Sequence, residues 1–233
     1  MYSMCVVCDT WRMSQNPARQ RLRITFGKFA AMKYTSNLDV AKIWERLLRR
    51  ADMPLLYSQG FNTRPRLQLA TALPLGITSE CELLDVSLRQ RIRVDAVPQQ
   101  LRDVSPDGLE IYRVEEVPVT SAALQTRVRS AHYVVTFEES VPDLDQRVAC
   151  LLAKPRILRT IQRKRRTVEK DLRPLINEIG TADLNVLQMH IAVGDRGNLR
   201  PGDVLEEMGL IDSWHRVHRH QLVLADTEEV KCN

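Results

Sequence analysis

Apolar and polar residues alternate along the first part of the chain in the pattern of a strand followed by a helix. Residues 21–28 alternate strictly, which predicts a strand with one buried face. Ser36 and Asp39 then have the spacing of a capping box, and the apolar residues behind them recur at helical intervals as far as Met53. Pro54 disfavours a helical residue before it, so we expect the helix to end there.

The rest of the first half continues this pattern up to a stretch rich in Ser, Ala and Gln. Apolar residues at every second position predict strands, and apolar residues at three-to-four spacing predict a short helix after Asp95. The predicted strands are residues 67–73, 82–88 and 109–114, and the predicted helix covers residues 95–104. The resulting order, strand–helix–strand–strand–helix–strand, is that of a ferredoxin-like unit.

The same order of elements is predicted again in the second half. The predicted strands there are residues 131–137, 157–168, 186–193 and 217–224, and the predicted helices are 144–152 and 201–208, with residues 171–183 as an insertion. We therefore predict an α+β fold of two tandem ferredoxin-like (βαββαβ) units, with antiparallel sheets and helices on one face. The predicted boundaries are an irregular N-terminal extension 1–20, a first unit 21–117, a linker 118–128, a second unit 129–225 and a C-terminal tail 226–233.

Composition limits the classes of protein to consider. The chain has 233 residues, of which 44% are hydrophobic and 27% charged, as in globular proteins. No apolar run reaches the roughly 18 to 20 residues that a membrane-spanning helix needs. Five scattered cysteines make a poor disulfide framework, which predicts a reducing, cytoplasmic location. Cys5 and Cys8 lack a second pair of ligands, so we predict neither a metal nor a cofactor.

Positive charge is concentrated in one region of the chain. The formal net charge is +5, and residues 154–173 hold nine Lys or Arg against two acids. An excess of seven like charges repels itself unless a partner offsets it, which indicates an anionic ligand.

The segment from Tyr57 to Arg66 combines two aromatic rings, several amides and hydroxyls, and two arginines. Rings stack on bases and guanidinium groups bind phosphates, so this composition is typical of a loop that binds single-stranded nucleic acid. The alternative is a packed loop whose arginines pair with Glu80, Glu82 or Asp85. The candidate binding residues are Asn37, Arg46, Arg49, Tyr57, Ser58, Gln59, Phe61, Asn62, Arg64 and Arg66, together with Arg163, Lys164, Arg165 and Arg166 of the basic strand.

Histidines form a second candidate group. His215, His218 and His220 lie close together near the C-terminus, where they predict either a cationic edge strand or metal ligands. His132 and His190 are isolated in sequence and are predicted to be ordinary strand residues. No residue is predicted to be catalytic, since no nucleophile elbow, phosphate-binding loop or dinucleotide fingerprint is present.

Several segments of the chain resemble the radical SAM-linked protein family, a domain found fused to, or encoded beside, a radical SAM protein. They are TSNLD (35–39), RLLRRADMPLLYSQGFNTRPRL (46–67), ALPLGITSECELLD (72–85), DLRPLI (171–176) and LRPGDVL (199–205). The resemblance covers roughly residues 21–224. Two positions depart from the usual family pattern, because Asn37 and Arg64 stand where histidines are usual.

This resemblance implies a companion of radical SAM chemistry, and the chain itself lacks a C-x-x-x-C-x-x-C cluster motif. We therefore expect a non-catalytic RNA-binding or adaptor module that works with a radical SAM enzyme in RNA modification or processing. One alternative is a metal-independent RNA-processing enzyme on a tandem ferredoxin-like scaffold. The other is a pure protein–protein adaptor without affinity for nucleic acid.

Overall fold

The protein is a mixed α+β structure with many strands and few helices. The computed structural model describes residues 18–59, 61–163, 166–194, 197–225 and 229–230, and only the backbone of 161–163, 166, 229 and 230. The strands are β1 (Gln20–Lys28), β2 (Leu67–Leu69), β3 (Thr78–Leu88), β4 (Leu109–Val117), β5 (Val128–Phe137), β6 (Leu158–Arg163), β7 (Arg166–Asp171), β8 (Ile176–Asp183), β9 (Val186–Ala192), β10 (His215–Leu224) and β11 (Glu229–Val230). The helices are α1 (Asn37–Arg50), α2 (Val97–Arg102), α3 (Leu124–Arg127), α4 (Leu144–Ala153) and α5 (Pro201–Glu207), with 3-10 turns at Ala30–Tyr34 and Arg173–Leu175.

Nine of these strands form one mixed sheet. Its order is β4-β1-β3-β10-β5-β9-β8, with β2 paired to β3 and β11 paired to β10. The sequence predicted antiparallel sheets, and the pairs within each half are indeed antiparallel. Between the halves, however, β3 pairs with β10 in parallel at Thr78 and Ser79. The structure thus corrects the prediction by joining the two halves into a single sheet.

The strand order is the same in both halves. The first half reads β4-β1-β3-β2 and the second reads β10-β5-β9-β8, so each places its first and third strands at the centre. The prediction of one long basic strand at 157–168 is wrong, because β6 and β7 form a separate two-stranded hairpin there. Strand β8 lies within the predicted insertion 171–183 and pairs with β9. No Gly or Pro marks the hairpin turn in the sequence, so periodicity alone did not reveal it.

Helix α1 follows the sequence closely. Ser36 is its N-cap, and the Ser36 side chain accepts a hydrogen bond from the Asp39 amide at 3.2 Å. Val40, Trp44 and Leu47 are buried along one face, as helical spacing predicts. The hydrogen bond from the Ser36 hydroxyl also lowers the pKa of Asp39 below its usual range.

Two apolar cores lie on opposite faces of the sheet. Alternate residues of β3 point to opposite sides, and Leu84 and Val86 belong to the core that contains α1 and α2. Cys81 and Leu83 belong to the other core, which contains α4 and α5. Each pair of helices therefore covers one face of its own half, and the two pairs cover opposite faces of the joined sheet.

Strand β1 is buried on both faces, whereas its alternation predicted only one buried face. Its polar face carries Arg21 and Arg23, whose guanidinium groups both bind the carboxylate of Asp85. The shortest contacts are 2.7 Å for Arg21 and 2.8 Å for Arg23. Arg21 also donates to the backbone oxygens of Ser121 and Ala122, which lie in the segment between the halves. That segment therefore covers part of the polar face and accepts hydrogen bonds from Arg21.

Removing the charge of Asp85 should destabilise the fold strongly. In the variant Asp85→Asn, two buried guanidinium groups lose the carboxylate that they share, and we expect a loss of roughly 3 to 5 kcal/mol in the free energy of unfolding. Urea denaturation measures this loss. The control is Asp95→Asn, because Asp95 and its partner Arg93 have side chains that are 83% and 90% exposed and such pairs contribute at most about 1 kcal/mol. Equal midpoint shifts in the two variants would contradict the assigned role of Asp85.

Candidate nucleic-acid interface

The segment 57–66 is a hairpin-like loop with a fixed base. Tyr57 and Pro65 form an isolated β-bridge, the Ser58 amide donates to the Arg64 carbonyl at 2.8 Å, and the Arg64 amide donates to the Ser58 hydroxyl at 3.0 Å. Beyond this base, Phe61 and Asn62 are exposed. Phe61 is as exposed as an isolated side chain, at 113% of the reference area. The loop therefore presents an aromatic ring to solvent from a hydrogen-bonded base.

Beside this loop lies an open groove of about 610 Å³. One wall is the loop, the floor is the polar face of the sheet, and the other wall is the segment that follows β4. The groove is lined by Ala18, Arg21, Ser58, Arg64, Pro65, Arg66, Leu67, Gln68, Ser87, Val119 and Ser121. Three guanidinium groups and three serines thus meet in one concave surface.

The groove is electrostatically positive. No Asp or Glu is among the described residues that line it. Asp85 lies beneath it, where its carboxylate binds both Arg21 and Arg23. Arg64 and Arg66 are exposed and, within the described ranges, form no ion pair. Guanidinium groups and serine hydroxyls can donate hydrogen bonds to phosphate or carboxylate oxygens.

The acids that the sequence offered as partners for the loop arginines bind other groups. Asp85 holds the arginines of β1, Glu82 lies 3.5 Å from Arg219, and Glu80 lies 3.6 Å from His218. The structure therefore does not show the alternative in which Arg64 and Arg66 pair with these acids.

Tyr57 occupies a different position from Phe61. It packs against the first core, and its hydroxyl accepts a hydrogen bond from Arg49 at 3.2 Å. The Arg49 guanidinium also lies 5.9 Å from the Tyr57 ring centroid and binds Glu45. Tyr57 and Arg49 thus bind each other and stabilise the base of the loop. Gln59 is exposed in the same loop.

Asn37 and Arg46 lie away from the groove. Both belong to α1, which packs on the sheet face opposite the groove. Asn37 lines a cavity with room for about one water molecule, whose other lining residues include Lys28 and Glu82. Lys28 is 2% exposed, and burial lowers its pKa against the opposing effect of Glu82. The binding residues predicted from the sequence are therefore divided between the groove and the surface of α1.

The basic run at 154–173 is largely neutralised where its side chains are described. Lys154 binds Glu207 at 3.8 Å and Arg156 binds Asp171 at 3.4 Å. Arg159 binds both Asp203 and Glu206 of α5. The expectation of uncompensated charge is thus wrong for these three residues. Lys164 and Arg165 lie outside the described residues, and only the backbones of Arg163 and Arg166 are described, in β6 and β7.

Histidines from three strands meet on the second half of the sheet, on the face opposite α4 and α5. The rings of His132 and His190 stack with centroids 3.9 Å apart, and His220 lies 5.7 Å from His132. His132 and His190, which looked isolated in sequence, are therefore neighbours across β5 and β9. Burial lowers the pKa of His190 and of His220. Among the described residues, no group of three His, Cys, Asp or Glu is arranged to hold a metal ion.

Sequence reasoning missed four polar residues of the groove. Arg21, Gln68, Ser87 and Ser121 come from four separate segments, and each occupies the polar side of its strand or a connecting segment. The alternation of β1 and β2 does indicate that Arg21 and Gln68 point away from the first core. Only the pairing of β2, β3 and β1 shows that these side chains meet.

Comparisons with known proteins show the family but not an activity. Residues 21–201 match the family described as "Uncharacterized protein conserved in bacteria (DUF2344)", and the chain belongs to that family. No curated protein matches the chain. None of the helices in the described ranges is long and apolar enough to cross a membrane.

Two solved structures show distant similarity. One is a chain of the "Crystal Structure of a Cbf5-Nop10-Gar1 Complex", with 10% identity, a TM-score of 0.46, and coverage of 86% of this chain and 48% of that chain. The chain thus spans about half the length of that protein. The other is an unknown protein from Galdieria sulphuraria, with 10% identity, a TM-score of 0.26, and coverage of 86% of this chain and 98% of that chain.

Two partly buried histidines, His190 and His220, should make stability depend on pH. Because burial lowers the pKa of His190 and His220 in the folded state, the unfolded chain binds protons more readily. Their contribution is complete above the unfolded value of about 6.5 and is lost as pH falls below it. Urea unfolding at pH 7.5 and 5.5 should show a smaller pH-dependent loss in the double variant His190→Gln/His220→Gln than in the wild type. Equal losses would show that these histidines do not contribute.

Proposed function

We propose that this protein is a non-catalytic RNA-binding module that holds single-stranded RNA and presents it to a partner enzyme. In this proposal the groove binds the sugar-phosphate backbone, and Phe61 stacks on a base. The two halves act as tandem ferredoxin-like units fused through one sheet, which the repeated strand order supports.

The observation that carries the proposal is the pairing of an acid-free arginine groove with a protruding aromatic ring. The exposed Arg64 and Arg66 line the groove, the buried Arg21 lies in its floor, and Phe61 extends from the loop that forms its wall. Phosphates repel one another, so a chain of them binds best where cations are not neutralised by carboxylates. A base needs a flat apolar surface, which a fully exposed phenylalanine supplies.

Single-stranded RNA fits this surface better than a duplex does. Stacking on Phe61 requires a base that is free of its neighbours, as in loops and unpaired ends. The groove has a volume of about 610 Å³, which is comparable to that of sites that hold small ligands. A nucleic-acid duplex needs a larger binding surface. We therefore expect only a few nucleotides to bind at once.

The partner in this proposal is a radical SAM protein, and the support is the sequence resemblance described above. The absence of a cluster-binding cysteine motif in this chain means that such chemistry would have to come from the partner. We place the pair in the cytoplasm, because an odd and scattered set of five cysteines fits a reducing compartment.

Replacing the loop arginines should weaken RNA binding in a salt-dependent way. Fluorescence anisotropy with a labelled 12-nucleotide oligouridine measures the affinity at several salt concentrations. For Arg64→Gln/Arg66→Gln, the slope of log affinity against log salt should fall in magnitude by about 1.4, or about 0.7 for each phosphate that an arginine no longer neutralises. Phe61→Ala should weaken binding by about 5-fold to 150-fold with little change in the slope, because stacking is worth about 1 to 3 kcal/mol.

Arg93→Gln is the control for the loss of one positive charge elsewhere, since this exposed arginine does not line the groove. It should bind as the wild type does. If the wild-type protein shows no affinity at low salt, or if the control loses as much affinity as the double variant, RNA binding in this groove is wrong. If the oligonucleotide or a structured RNA is cut at defined sites in EDTA, the protein is an RNA-processing enzyme and not a passive module.

A further inference from the structure

At one end of the second half, the exposed side chain of Trp214 lies in a surface whose segments contain several acidic residues. Trp214 is 84% exposed, and Leu184 and Ile211 are 59% and 40% exposed. These apolar residues lie in the turn between β8 and β9 and in the turn before β10. This end, made of residues 138–141, 183–185 and 211–216, is called the Trp214 surface below.

Backbone hydrogen bonds hold the three segments of the Trp214 surface together. The Glu138 amide donates to the Trp214 carbonyl at 3.0 Å, and the Val141 amide donates to the Leu184 carbonyl at 2.8 Å. The segment after β5 is thereby fixed between the two turns that carry the exposed apolar side chains. The surface is built on ordered main chain rather than on a free end, which favours a binding role.

The charge of the Trp214 surface is opposite to that of the whole chain. Its three segments contain four carboxylates, Glu138, Glu139, Asp183 and Asp212, and one arginine, Arg216. Arg216 binds Glu138 at 3.4 Å, and so three carboxylates remain in excess. The whole chain has a formal net charge of +5. An acidic surface on a basic protein repels nucleic acid and attracts a cationic partner.

We propose that the Trp214 surface docks a basic, arginine-bearing segment of a partner protein. Tryptophan is the aromatic residue that binds a guanidinium group best, and it is enriched among the residues that contribute most to protein interfaces. The surrounding carboxylates bind the remaining cations and exclude RNA from this end. The site lies in the second half of the chain and shares no residue with the groove, so the proposal stands independently of RNA binding.

The test follows the indole N–H resonance of Trp214 in ¹H–¹⁵N spectra of the full chain. The probe is a ten-residue peptide of alternating arginine and leucine, and the control peptide has citrulline in place of arginine. The Trp214 resonance, assigned with Trp214→Phe, should shift and saturate with the arginine peptide alone. The resonance of Trp44, which is fully buried, should not move.

Two variants separate the surface from general charge attraction. Trp214→Ala, whose affinity is measured by the fluorescence anisotropy of the labelled arginine peptide, should weaken binding by about 30-fold, the effect of losing a hot-spot aromatic residue. Glu138→Gln/Glu139→Gln/Asp212→Asn should also weaken binding. The matched control, Asp103→Asn/Asp107→Asn/Glu110→Gln, changes the net charge equally at exposed positions of the first half, and it should bind as the wild type does.

Four results would overturn the proposal. They are an unmoved Trp214 resonance, equal binding of the citrulline peptide, a Trp214 shift caused by the oligouridine, and a shift caused by raising the protein concentration alone. The third would assign the surface to RNA and the fourth to a second copy of this chain. Loss of RNA binding in the groove variants, by contrast, leaves the peptide result unaffected.

Discussion

Strand β3 connects the two halves of the molecule, because it pairs along both edges and contributes to both cores. One edge pairs with β1, and the other pairs with β10 near Thr78 and with β2 near Asp85. Alternate residues of the same strand enter the first and the second core. A shift of one residue in its register would exchange these two sets of side chains. The relative placement of the halves therefore depends on this strand.

Buried charges add a second constraint around β3. Arg219 is fully buried beside this strand, where it lies 3.5 Å from Glu82, donates to the Ala72 carbonyl and stacks near Tyr133. Ions taken out of water are costly when their partners are removed, so such groups penalise any arrangement that separates them. Asp85 has the same effect on the opposite half of the strand. Glu82 and Asp85 of β3 thus tie the sheet to specific arginines.

These constraints also separate the two candidate binding surfaces. The groove uses the polar side of the first half, where the exposed Arg64 and Arg66 supply positive charge. The Trp214 surface uses the far end of the second half, where carboxylates dominate. Opposite charges in separate halves suit a protein that holds an anionic chain with one half and a cationic protein segment with the other.

Local patterns were sufficient to predict much of the fold. Helix α1 with its Ser36 cap and the strands around residues 21–28 and 82–88 follow from spacing and capping residues. The hairpin β6–β7 was mistaken for one strand, since two basic strands and their turn show no break in composition. Periodicity reports which side of an element a residue occupies, and it cannot report what covers that side.

By itself, therefore, the sequence determined the α+β class, the order of most elements and the arginine and aromatic content of the loop. Only the tertiary structure decided that both faces of β1 are buried, that Tyr57 packs inward while Phe61 points outward, and that His132 meets His190. It also decided that Arg21 joins the loop arginines in one groove. These outcomes depend on pairing between residues far apart in the chain, and long-range pairing is set by the sheet as a whole rather than by local preference.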